Sequence, residues 1–171
     1  MNAISRGQFI ASALAVSASA VCRETFAADD ALAEAWRLIE EEGACRVVVK
    51  DGRIVAVARG RGAGPVLRLL ESDFESLANA TVVDSVVGLA AAAAAVKGGV
   101  ARVCARTASE TARNFLASNG IPLEAKVVVP TIMNRDLTGP CPLESGLASL
   151  TSADAMLAKA ESILAGLRSI A

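Results

Sequence analysis

The chain has 171 residues, enough for one domain with a substantial core, and 53% of them are hydrophobic. Only 3% are aromatic, so the core must be built from Ala, Val, Leu and Ile, and a base-stacking surface for nucleic acid is not expected. A formal net charge of −1 gives no electrostatic pull toward nucleic acid or an anionic membrane, and the lack of histidine removes Ser-His and Cys-His nucleophile pairs along with the commonest zinc ligand.

Residues 1–27 read as a secretory leader. Arg6 forms a short basic region, an apolar run of small residues follows from Phe9 to Val21, and small-x-small sites end at Ala20 and Ala27. The run is too short and too rich in alanine for a stable membrane span, so the membrane enters only through export. "SRGQFI" is similar to a twin-arginine motif, with Gly7 in place of the second arginine. Cleavage after Ala27 leaves residues 28–171 as a single domain, periplasmic or extracellular; without a leader the chain is cytoplasmic. The mature domain keeps Cys45, Cys104 and Cys141, an odd number that does not describe a disulfide scaffold.

Leu32, Trp36 and Ile39 recur at helical spacing, predicting a helix over about 30–42 with Gly43 as its stop. "CRVVVKDGRIVAVAR" predicts a hairpin turning at Asp51-Gly52. "GRGAGP" reads as a flexible loop, or as a weak anion loop with Arg59 and Arg61, before a short helix that Pro65 opens and Leu70 closes. "VVDSVVGLAAAAAAVKGG" predicts a helix capped by Asp84 and stopped at Gly98-Gly99; with no polar face, it must lie centrally against a sheet. "VARVCAR" predicts a buried strand, and Thr107 with Glu110 a capping box for a helix ending at Asn119-Gly120. "KVVVP" predicts the next strand, and Thr151 or Ser152 caps a C-terminal helix. The fold class expected is α/β in three layers, α/β/α, with a mixed sheet in which an N-terminal antiparallel hairpin is followed by parallel strands. Right-handed crossovers place Asp84, Thr107 to Ser109 and the loop after Val129 on one rim.

Three segments in this order, "LIEEEGACRVVVKDGRIV", "VVDSVVGLAAAAA" and "PTIMNRDLTGPCPLE", resemble the prokaryotic family of domain of unknown function 1893, over roughly Leu32 to Leu147. The resemblance implies a cytidine deaminase-like fold and no settled activity. Zinc deaminases carry His (or Cys)-x-Glu at the start of the central helix and Pro-Cys-x-x-Cys at a later one. Here "DSV" puts Asp84 near the first ligand and Val86 where the glutamate belongs. "PCPLE" imitates half of the second motif after the wrong strand. No zinc centre and no other cofactor is therefore expected.

The stretch "NRDLTGPCPLES", Asn134 to Ser145, concentrates the chemistry. Pro142 fits a first helical turn, which makes Cys141 the N-cap and Glu144 the third helical residue. A thiol at a helix N-terminus beside Arg135 is favoured as thiolate, while Asp136 and Glu144 oppose this. Cys141 and Glu144 are the candidate catalytic pair. The alternative makes Cys141 a small cap, Glu144 its capping-box partner and Arg135-Asp136 a surface pair. Asn134 and Arg135 offer donors suited to carboxylate or phosphate. Asp84, Thr107 and Ser109 complete the candidate ligand site, and Cys45 and Cys104 read as buried hydrophobes. Three functions follow as expectations: a module binding a small anionic or nucleotide-like ligand, a Cys141-dependent enzyme, and a structural or protein-interaction module.

Overall fold

The computed structural model describes the backbone of residues 18–169 and the side chains of 29–167. Residues 1–17, most of the segment read as a leader, lie outside the described residues. The first helix, α1, spans Ala18–Glu40, so it begins well before the Asp30 expected from periodicity.

After α1 comes the hairpin of β1 (Ala44–Lys50) and β2 (Arg53–Arg59). Its turn is local chemistry: Asp51 and Gly52 both take positive φ, 50° and 69°, as a type I′ turn requires. Helix α2 (Gly64–Ser72) starts on Pro65, and a single turn, α3 (Phe74–Leu77), leads to β3 (Thr81–Val87). Then follow α4 (Leu89–Lys97), β4 (Arg102–Ser109), α5 (Glu110–Ser118), β5 (Leu123–Val129), α6 (Pro142–Leu147) and α7 (Ala153–Ser169).

The five strands form one mixed sheet in the order β2-β1-β3-β4-β5. β1 runs antiparallel to both β2 and β3, while β3, β4 and β5 are parallel. Helix α1 packs on one face, where Ala35, Leu38 and Ile39 meet Val47, Val49, Val83 and Cys104. The opposite face is covered by α4 and α5, through Ala91, Ala92, Ala95, Ala112 and Leu116 against Val82, Val103 and Ala105. The outward side of α4 is covered in turn. Leu89, Ala90, Ala93 and Ala94 pack under α2, α6 and α7, against Leu67, Leu147, Met156 and Ala160. A helix with no polar face is thus covered all round, and alanine lets both layers approach closely.

Two expectations are corrected here. Asp84 caps no helix; it lies in β3, which the sequence reading had merged with α4, and Gly88 stands at the N-cap instead. Val82, Val83, Val86 and Val87 are β-branched and keep the chain extended, so the helix begins only at Leu89. Thr107 likewise belongs to β4. The cap of α5 is Ser109, whose hydroxyl accepts the Ala112 N–H at 3.1 Å. The cap read for α7 is present, with Ser152 Oγ accepting the Ala155 N–H.

Candidate functional site

At the end of β3 the sheet rim opens into a cleft of about 1130 Å³. Its walls come from the Gly60–Gly64 loop and the start of α2, the N-terminus of α4, residues 132–135, the start of α6, and Leu164 and Leu167 of α7. Of the residues singled out from sequence, Asp84, Asn134, Arg135, Cys141 and Glu144 line this cleft; Thr107 and Ser109 do not.

Asp84 sits at the inner end as half of a buried pair. Arg46, its register partner on β1, donates from Nε to Oδ2 at 2.8 Å, and both side chains are almost wholly excluded from water. The Val86 N–H donates to Oδ1, and Arg46 Nη2 reaches the Ala91 carbonyl on α4. Burial pushes the Asp84 carboxyl above its ordinary value, while Arg46 and the Val86 N–H pull it back. Sequence reasoning missed Arg46 because it sits in a valine-rich strand 38 positions away.

Glu144 is the second buried carboxylate, and it is not a capping-box partner of Cys141. Its Oε2 accepts the Leu89 N–H at the start of α4, and its Oε1 accepts the Thr111 hydroxyl at 2.5 Å. Since the one Thr111 hydroxyl proton goes to Glu144, Ser109 must donate to Thr111 across their 3.0 Å contact. One carboxylate therefore ties α6 to the first turns of α4 and α5. Charge complements the positive end of α4, and the Cys141 N–H is satisfied elsewhere, by the Ile132 carbonyl.

Asn134 is also committed. Its amide donates to Thr138 Oγ1 and its Oδ1 accepts the Thr138 and Gly139 N–H groups, so it shapes the loop. Cys141 is half-buried at the N-cap of α6, makes no side-chain cap bond, and packs against the α2/α4/α6/α7 cluster. Cys45 and Cys104 are buried, and burial pushes both thiols up, with the Asp84 charge adding to the effect at Cys45.

What the cleft offers freely is positive charge. Arg61, Arg68 and Arg135 all lie on its walls, and among the described residues none of them has a carboxylate partner. The glycine loop lies against two of them: a Cβ at Gly62 would sit 3.9 Å from Arg135 Nη2 and one at Gly64 3.4 Å from Arg68 Nη1, ordinary contact distances. Arg59 is different, paired with Glu42 on the exposed side. Arg68 was not singled out because it lies on the short helix read after Pro65, away from the loop arginines Arg59 and Arg61. Among the described residues no three His, Cys, Asp or Glu side chains come close enough to hold a metal ion.

Fold and site together define a mixed α/β domain with an arginine-lined cleft at the C-terminal edge of its parallel strands. The chain belongs to the family described as Domain of unknown function (DUF1893), whose model matches residues 34–164. It is similar to a solved DUF1893 family protein from Thermotoga maritima, 21% identical with a TM-score of 0.69 over 78% of this chain and 89% of that one. Acinetobacter baumannii RibD is 17% identical, with a TM-score of 0.40 over 61% of this chain and 35% of its own. The diaminohydroxyphosphoribosylaminopyrimidine deaminase/5-amino-6-(5-phosphoribosylamino)uracil reductase of Thermotoga maritima is also 17% identical, with a TM-score of 0.45 over 58% and 36%. This chain therefore spans about a third of the length of those last two. No curated protein matches it.

Proposed function

We propose that the domain binds a small anionic ligand in the rim cleft. The observation that supports this is the placement of Arg61, Arg68 and Arg135 on one cleft without carboxylate partners, while the two acids that share the cleft are engaged inward. Planar guanidinium groups match carboxylate and phosphate with paired hydrogen bonds, and a partly enclosed cleft screens such bonds less than open solvent does. Arg135 is exposed, so its replacement leaves the core untouched. Titration calorimetry with inorganic phosphate, citrate and adenosine monophosphate tests the reading. At least one should bind, and Arg135→Ala should weaken it about tenfold, the loss of one charge-assisted hydrogen bond. An unchanged affinity removes Arg135 from the site, and silence from these three anions and from a fatty-chain carboxylate such as decanoate ends the proposal.

A Cys141-dependent reaction is the second reading, favoured by one observation: the thiol lines the same cleft with no hydrogen-bond partner of its own among the described residues. Its weakness is the proton. Glu144 is already bonded to Leu89 and Thr111, and there is no histidine to replace it. Site-resolved alkylation across pH separates the two readings. A Cys141 that reacts with an apparent pKa well below about 8.5 favours the enzyme. We also place the domain outside the cytoplasm after removal of residues 1–27; a mature chain starting at Ala28 supports this, and a full-length cytosolic chain sinks it.

A further inference from the structure

We propose that the ligand is an amphiphile, an aliphatic chain ending in a carboxylate or phosphate; this deepens, and rests on, the reading of the cleft as an anion site. Large apolar side chains that remain exposed on a folded surface mark an interaction site when they gather. Here Val86 (41%), Met133 (42%) and Leu167 (46%) are all exposed, and all three line the same cleft as the three arginines. Half-buried Ile132 and Leu164 extend that apolar lining. They come from β3, the loop after β5 and α7, elements brought together only by the fold.

The character of this lining decides what fits. Its apolar residues are aliphatic or thioether, and no Phe, Trp or Tyr is among them, so a flat base finds no ring to stack on. Besides the arginines, few side chains are free to read a base edge. The Asn134 amide is tied into its loop, the acids are engaged, and Ser85 is the remaining neutral hydroxyl or amide of the lining. Flexible methionine and leucine side chains instead adapt to a flexible hydrocarbon. The arginines then fix its charged end.

The test is calorimetry with decanoate, acetate, decanol and adenosine monophosphate on the protein and on Met133→Asn and Arg135→Ala, both at exposed positions. Decanoate should bind at least about a hundredfold more tightly than acetate, because each buried methylene adds to affinity. Met133→Asn, which removes apolar contact without adding charge, should weaken decanoate at least about tenfold and acetate by much less. Equal affinity for decanoate and acetate overturns the amphiphile while leaving an anion site standing. Equal affinity for decanoate and decanol, unaffected by Arg135→Ala, overturns the anion site itself. Tighter binding of adenosine monophosphate gives the cleft to a nucleotide. Decanoate affinity that falls as protein concentration rises, with a dimer in ultracentrifugation, gives it to a second copy of the chain. Failure of all four probes to bind ends both readings.

Discussion

Arg46 and Asp84 are 1% and 2% exposed, yet each keeps its polar partners, and no side-chain polar atom among the described buried residues lacks one. Removing water from two charges is expensive, and the pair offsets this only while both members are present. Asp84→Ala should therefore destabilise the protein by about 3–5 kcal/mol in urea unfolding, since it strands a buried guanidinium. Arg46→Met combined with Asp84→Leu should recover most of that loss. If the double variant is as unstable as the single one, the pair is not the source of the effect. The pair also carries a pH signature. Because burial raises the Asp84 carboxyl above its ordinary 3.8, its favourable contribution is complete below that value and declines as pH rises through the raised one. Stability should fall with pH across that window in the parent, and the double variant should lose this part of the slope.

Helix α4 shows how neighbouring elements constrain one another through small residues. A Cβ at Gly88 would fall 2.6 Å from Glu144 Oε2, and the bonds of Oε2 to Leu89 and of Oε1 to Thr111 leave that carboxylate no room to move without breaking them. A Cβ at Gly146 would fall equally close to Ile163 Cδ1, the free end of a flexible side chain. Gly88→Ala should thus cost about 1–3 kcal/mol and Gly146→Ala less than about 1 kcal/mol. Equal costs by thermal unfolding would show that Glu144 yields as easily as Ile163. The same region marks where sequence reading stops. The β1–β2 hairpin was legible because its turn is fixed by two adjacent residues, Asp51 and Gly52. β3 was not, because a strand with valines on both faces reads as a near-continuous apolar run that merges with the alanine helix after it. Asp84 then looked like a cap, and only Arg46 on another strand explains it. The candidate cleft follows the same rule. Arg135, Cys141 and Glu144 were found as a local cluster, whereas Arg68, Thr111 and Leu167 join them through contacts that no spacing along the chain announces.

Over the whole molecule, the buried apolar residues described gather on the α1 face of the sheet, on its α4/α5 face and beneath α2, α6 and α7, and two thiols are buried with them. Cys104 packs in the α1 layer against the strands, and Cys45, beside the Asp84 pair, donates to the Ala58 carbonyl. Both are pushed above the ordinary thiol value of 9.0 by burial. The folded molecule therefore keeps its protons at a pH where the unfolded chain has begun to lose them. The thiol contribution is fully present below pH 9.0 and is lost as pH rises through the raised folded values, because the unfolded state gains by ionising first. Urea midpoints measured from pH 8 to 10.5 should fall with a slope that reflects up to two protons released on unfolding. Cys104→Ala should make that slope shallower by up to one proton, whatever it does to stability at neutral pH, and Cys45→Ala should do the same. If both variants keep the parent's slope, these two thiols do not set the alkaline limit.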